Sequence, residues 1–436
     1  MIYEKNLNIK EKNWTRARTF ISAETDDNRD FNIPVTHHNH LIVGVPGGGK
    51  TVFTCALLDA RKMEEPDTFC VFFQTKPDDF TGRYLTDEDK VIVATDNNKF
   101  SKKQIFKWNL LEEVRQAESP QLEIEELATI FFADFLEDKK NIVWADAAKQ
   151  LFKAYILTIL YLGDKLKLSN RELVYRMLDG DYNRLFKFLS LYPPNRSMLM
   201  NNFSYDGTNP KPYQITKKGQ DILFFYTNVL LRFQSNFLSD SGEDTIQAYL
   251  NGMYGRNLFF LYDYRHRNTS KVFFSYFLKK LIAERVSLTG NYKQAIIFVL
   301  DEIDKLGSDI GLLDAVNLGR QFGISCIVST QSAESLFLSA PERQTEHYTK
   351  ASYSGFGAIV AFQLGDGNTR DMIKQIFGNV KRETMIFPYS RYDKPIVKID
   401  TEPLVSDTDF SNLDVGEFYI KIGASQPKRL KLKLEG

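Results

Sequence analysis

The sequence predicts an α/β protein: a parallel central sheet interrupted by a large helical insertion. Three observations carry this expectation. Runs at 68–73 and 295–300 are apolar without polar alternation, as a strand covered on both faces requires. These runs are separated by segments whose apolar residues recur at helical spacing, the rhythm of right-handed βαβ units. Between about 110 and 240 the strand-like runs stop and only helical periodicity remains.

Composition bounds the answer without naming a function. A chain of 436 residues that is 43% apolar is long enough for two or three domains with a sizeable core. Lys+Arg and Asp+Glu are equal at 56 each, so no overall field favours nucleic acid or an acidic partner, and any DNA contact must be local. Cys55, Cys70 and Cys326 lie in apolar stretches without C-x-x-C spacing, which fits buried hydrophobes in a reducing compartment better than disulfides or metal ligands. His37, His38 and His40 crowd one segment without i, i+4 pairing and read as a polar lead-in to a strand. There is no run of about 18 apolar residues and the N-terminus is polar, so neither a signal peptide nor a membrane span is expected.

In chain order, 1–36 mixes charges with isolated apolar residues and reads as an irregular lead-in with one edge strand. The segment 37–115 opens a nucleotide-binding domain. Its strand, Leu41 to Val43, runs into Gly44-Val45-Pro46-Gly47-Gly48-Gly49-Lys50-Thr51, the G-x-x-x-x-G-K-T phosphate loop. The glycines let backbone N–H groups turn around anionic oxygens, the lysine meets the β/γ-phosphates and the hydroxyl meets Mg²⁺. Val52 continues into an amphipathic helix with apolar residues at Val52, Phe53, Ala56, Leu57 and Ala60. That helix's N-terminus favours phosphate through its unpaired N–H groups and dipole. Further strands are expected at 68–73 and 90–95.

The segment 116–240 is the all-α insertion, with helices expected at 122–136, 144–162 and 219–237 and loops at 192–195 and 201–212. Its Lys149, Lys153, Lys165, Lys167, Arg171 and Arg176 are what solvated helix faces usually carry. The second part of the nucleotide-binding domain, 241–436, restores strand patterning at 256–261, followed by a helix at 270–288. The run at 295–300 then ends in Asp301 and Glu302, placing two carboxylates at the carboxyl edge of a buried strand, where ligands bind in open α/β sheets. Asp301 suits Mg²⁺, and Glu302 suits activation of the attacking water. Gln331 ends the next buried run, 324–330, placed to meet the γ-phosphate or that water. Arg320 has no acidic neighbour in sequence. It fits either the negative end of a helix or the phosphates of a neighbouring subunit's site. Arg370 is a second, weaker candidate for phosphate contact and reads first as a solvated residue in a helix's first turn. Alternation at 417–422 and 429–434 predicts half-buried strands, the second an edge strand with lysines on one face.

Taken together, these stretches resemble a family. The phosphate loop, Trp108-Asn109-Leu110-Leu111-Glu112-Glu113-Val114, a helical segment, 298–307 with its acidic pair, Gly319-Arg320-Gln321-Phe322-Gly323 and Thr330-Gln331-Ser332 resemble, in that order, the type IV secretion coupling proteins of the TraD/TraG group. The resemblance covers about 40–425, and related DNA pumps of the FtsK/HerA type share the core. It implies a RecA-like P-loop NTPase with an inserted all-α domain, assembled as a hexamer that couples ATP hydrolysis to movement of DNA or nucleoprotein toward secretion-channel proteins. Relaxase or secreted protein substrates are implied partners, with ATP and Mg²⁺ as cofactors. Carried onto this chain, Gly44 to Val52 hold nucleotide, Thr51 and Asp301 the metal and Glu302 the water. Gln331 senses the γ-phosphate and Arg320 acts across the subunit boundary. Two departures stand out: no N-terminal membrane segment is found, which implies a cytoplasmic protein attached through partners if at all, and 74–79 replaces the family's aspartate-lysine-glycine-aspartate stretch.

Overall fold

The computed structural model describes residues 3–7, 19–35, 38–76, 78–93, 99–136, 140–163, 168–205, 215–234, 242, 244–253, 256–287, 294–306, 310–333, 354–386 and 396–433. Ala94, Thr95, Lys165, Lys167, Gly307 and the loop 206–212 lie outside these. The strands in chain order are β1 (Tyr3–Leu7), β2 (Phe20–Thr25), β3 (Asp30–Pro34), β4 (His40–Val43), β5 (Phe69–Gln74), β6 (Lys90–Val93) and β7 (Leu258–Leu261). They continue as β8 (Ile296–Leu300), β9 (Ile324–Thr330), β10 (Ala358–Ala361), β11 (Asn379–Ile386), β12 (Ile396–Pro403), β13 (Glu417–Ile422) and β14 (Lys428–Leu432). The chain divides into two units. One comprises Met1–Gln74, Asp78–Arg83 and Arg285–Gly436; the other comprises Thr75–Pro77 and Tyr84–Glu284.

In the first unit the strands lie in the order β3-β2-β14-β13-β10-β4-β9-β8-β5. The stretch from β10 to β5 is parallel. Every residue of β4, β5, β8, β9 and β10 is buried, which is the physical meaning of their unbroken apolar runs. From β13 outward the pairing is antiparallel, and β13 buries alternate residues. The loop's helix, Lys50–Glu64, buries Phe53, Leu57 and Leu58 but leaves Val52 44% exposed, so its apolar face is turned from the one expected. Cys55, Cys70 and Cys326 are buried, and none is in a disulfide.

Two expectations are corrected here. Within 1–36 the expected edge strand is β3, last in the sheet order, but the other described residues are not irregular: β2 pairs with β3 in a hairpin against β14, turning through Asn28 at φ 57°, and β1 pairs with β11 in a separate three-stranded sheet, β1-β11-β12. Its apolar residues are too few per strand to announce themselves; distant partners make the strands. Nor is β14 an edge strand, because β13 flanks it on one side and β2 on the other. Its lysines face acids instead: Lys431 sits opposite Glu417 and Glu24, and Lys433 pairs with Glu24 at 3.0 Å.

The second unit holds the parallel pair β6–β7 and a set of helices that includes Pro120–Phe131, Ile142–Tyr161, Asn170–Met177, Tyr182–Leu189, Asn195–Phe203 and Lys217–Gln234. Asn201 is therefore helical rather than in a loop. Lys149 and Lys153 both pair with Glu125, so they are committed to their own fold rather than offered to a polyanion. The stretch 108–114 is a clasp. Glu113 Oε2 accepts from Trp108 Nε1 at 2.9 Å and from the Ile246 N–H at 2.8 Å, and Asn170 bridges the Trp108 carbonyl and the Leu110 N–H, each at 2.8 Å. Burial pushes the Glu113 carboxyl up to about 7. No helix among the described residues is long and apolar enough to cross a membrane.

Candidate nucleotide site

The strand order decides the site. Because β4 and β9 are neighbours and β9 adjoins β8, the segments that follow these three strands emerge side by side at one carboxyl edge. Val43 pairs with Thr330, and Leu300 pairs with Val328, so the phosphate loop, Gln331 and the acidic pair meet although far apart in sequence. β10 flanks the loop on its other side: the Val45 N–H donates to the Gln363 carbonyl at 2.9 Å, and the Gly44 N–H to that of Thr330 at 3.2 Å.

The loop is glycine-rich because of close approach and backbone sign. A Cβ on Gly44 would lie 2.6 Å from Phe362 Cβ. Gly49 has φ 112°, open to glycine and rarely to other residues. Lys50 is buried, and its Nζ donates to the carbonyls of Gly44 at 2.7 Å and Val45 at 3.0 Å, which folds the loop over its own helix start. Pro46 and Gly47 are exposed at the tip, while Gly48 is buried with its carbonyl accepting from Gly416 at 3.1 Å. Thr51 opens the helix, half-buried.

Asp301 and Glu302 are 4% and 5% exposed. Asp301 Oδ1 accepts from the Ser329 hydroxyl, and Glu302 Oε1 accepts from Gln331 Nε2 at 3.0 Å. Glu302 holds a left-handed backbone, φ 47° and ψ 51°, a conformation costing a non-glycine residue about 1–2 kcal/mol. The expected pair of Glu302 and Gln331 is thus brought together. Arg320 is not. It is exposed on the turn Gly319–Phe322, which precedes β9, so it lies at the amino edge of the sheet, a strand length of roughly 20 Å from Gln331. Arg370 donates to the carbonyls of Asp366 and Gly365, each at 3.3 Å, and is a loop-holding residue.

Sequence reasoning missed Ser329, Phe362 and Gly416. Ser329 precedes the Thr330-Gln331-Ser332 stretch, a signal that could have found it; Phe362 and Gly416 carry none, since only folding sets them against the loop.

The family model for the type IV secretion-system coupling protein DNA-binding domain matches residues 31–429. The chain belongs to this family. Among solved structures, the bacterial conjugative coupling protein TrwBdeltaN70, in its unbound monoclinic form, is 16% identical with a TM-score of 0.71, covering 97% of this chain and 90% of that one. The plasmid coupling protein TrwB in complex with the non-hydrolysable ATP analogue ADPNP is 15% identical, TM-score 0.68, covering 97% and 96%. TrwB in complex with ADP and Mg²⁺ is 17% identical, TM-score 0.66, covering 92% and 85%. At such identities these likenesses speak for the fold, that of a RecA-like P-loop ATPase with an all-α domain. A search of curated proteins finds no match. In this coupling-protein chain the β10-β4-β9-β8-β5 core is the RecA-like sheet, with β4 leading into the phosphate loop.

Proposed function

We propose that this chain is the ATPase that drives DNA, alone or with bound protein, toward a type IV secretion channel. One observation carries the reading: Lys50, Asp301, Glu302 and Gln331 share one sheet edge in a chain of the coupling-protein family. The residues suit a nucleoside triphosphate with Mg²⁺. The left-handed Gly49 and the absence of a Cβ at Gly47 leave room for phosphate oxygens beside the helix start, and Thr51 with Asp301 supplies the hard oxygens Mg²⁺ prefers. Gly44 to Val52 form the cradle, and Lys50 meets the β/γ-phosphates. Mg²⁺, when bound, offsets charge on the transferring phosphoryl group. Glu302 takes the proton of the attacking water, and Gln331, already bonded to Glu302, fixes its carboxylate and senses the γ-phosphate. The TrwB complexes with an ATP analogue and with ADP and Mg²⁺ support this choice of ligands.

Arg320, at the opposite edge of its own sheet, serves a neighbour's site in a homo-oligomer, a hexamer as the family resemblance implies. Relaxase or other secreted proteins travel with the DNA. The test is phosphate release by the purified chain with and without DNA: hydrolysis rises with DNA, and Lys50→Ala abolishes it. Vigorous hydrolysis by Lys50→Ala overturns the site, and a rate indifferent to DNA overturns the substrate.

A further inference from the structure

The turn at 414–417, which leads into β13, packs against the phosphate loop. Its Gly416 N–H donates to the Gly48 carbonyl at 3.1 Å, and a Cβ on Gly49 would lie 3.5 Å from Gly416 Cα. The turn is itself tied down. The Glu417 N–H donates to the Asp414 carbonyl at 3.0 Å, and the Asp414 N–H donates to Glu417 Oε2 at 3.0 Å. From β14, Arg429 Nη2 donates to that same oxygen at 2.8 Å, and the Leu432 N–H donates to the Gly416 carbonyl at 3.1 Å. Leu432 in turn pairs with Ala23 of β2, so the turn is anchored in the sheet.

A planar trans peptide carries its C=O and N–H on opposite sides, and the peptide between Gly48 and Gly49 is trans. With the Gly48 carbonyl anchored on Gly416, the Gly49 N–H faces the other way, and it has no hydrogen-bond partner among the described residues. This N–H lies just before the helix Lys50–Glu64, where a phosphate loop offers backbone donors to phosphate oxygens. A half-turn of the same peptide would put a carbonyl oxygen there, which an anion avoids. Gly416 has φ 84°, and a Cβ built on it meets nothing within 4 Å. Glycine is needed at this position for its backbone sign rather than for room.

We infer that Gly416 is a positioning residue for nucleotide: its N–H fixes the Gly48–Gly49 peptide with the Gly49 N–H aimed at the phosphate chain, and the Arg429–Glu417 ion pair keeps the turn in place. The inference rests on the reading of the phosphate loop as a nucleotide site.

The test measures the affinity of the full chain for N-methylanthraniloyl-ADP and N-methylanthraniloyl-ATP by fluorescence titration, and KM and kcat for ATP by phosphate release with DNA present. Gly416→Ala and Gly416→Asn enter the same open space, but asparagine tolerates a positive φ far better than alanine. Gly416→Ala weakens both nucleotides about tenfold and raises KM alike, with kcat within about threefold, as loss of a hydrogen bond made equally in ground and transition state gives. Gly416→Asn stays within about threefold of the parent in affinity and KM. Arg429→Gln, which leaves every glycine in place, weakens both nucleotides about threefold and decides the matter if Gly416→Ala does not fold. A role confined to folding would lower the melting temperature and leave affinity unmoved. The inference is overturned by unaltered affinity in folded Gly416→Ala or in Arg429→Gln, by equal losses in the alanine and asparagine variants, or by a fall in kcat at constant KM. A parent protein that binds neither nucleotide overturns the nucleotide site as well, whereas a parent that binds both beside an unaltered Gly416→Ala overturns this inference alone.

Discussion

Glu113→Gln tests how the clasp at 108–114 is held. Glu113 is 1% exposed, and burial raises its carboxyl from 4.5 in the unfolded chain to about 7. The folded state therefore holds the proton more tightly. The stability Glu113 contributes is fully present below about 4.5 and is lost as pH rises from there through about 7. At 1.36 kcal/mol per pKa unit the full shift amounts to about 3 kcal/mol, of which most is lost between pH 5 and pH 8.5. A glutamine cannot ionise, yet its side-chain oxygen can still accept from Trp108 Nε1 and the Ile246 N–H. Glu113→Gln should therefore be within about 1 kcal/mol of the parent at pH 5 and more stable by about 2–3 kcal/mol at pH 8.5. Urea unfolding at both pH values, read by circular dichroism and tryptophan emission, measures the difference. A gap between the two proteins that does not widen with pH would mean that burial does not hold the carboxyl up.

Four further experiments probe the site and the sheet that carries it. Glu302→Gly should stabilise the chain by about 1 kcal/mol, because φ 47° suits glycine, while hydrolysis is lost; a lowered melting temperature would show that the contacts of the Glu302 side chain outweigh the strain in its backbone. Gly44→Ala should cost about 1–3 kcal/mol and weaken nucleotide binding, since its Cβ meets Phe362 Cβ at 2.6 Å; an unchanged melting curve and affinity for a fluorescent ATP analogue would argue against that packing. Mixing Arg320→Ala with Glu302→Gln subunits should restore part of the hydrolysis each lacks alone, and no recovery at any ratio would leave Arg320 without a role in a neighbour's site. His40, buried beside Arg61, has its imidazole pushed down to about 3. Its folded state stays neutral, so stability falls as pH drops from about 6.5 toward 3, and His40→Asn should flatten that loss when melting temperature is followed across this range.

The chemistry of the phosphate loop and the acidic pair was legible in the sequence because each is contiguous: a glycine pattern after a strand, and two carboxylates after an apolar run. The core strands β4, β5, β8 and β9 were legible for a related reason, since burial on both faces leaves an unbroken apolar run. β2, β11 and β12 were not, because a strand that buries few residues is defined by its partners rather than by its own composition. The strand order β10-β4-β9-β8-β5 was equally out of reach. That order sets residues 50, 301 and 331 side by side at the carboxyl edge, while Arg320, which precedes β9 in the chain, lies at the other. It also sets Ser329 against Asp301 and Phe362 against Gly44, and it accompanies the left-handed backbone of Glu302. Local sequence fixes which chemical groups the chain can offer; long-range pairing, whose cost and reward are spread over the whole sheet, decides which of them meet.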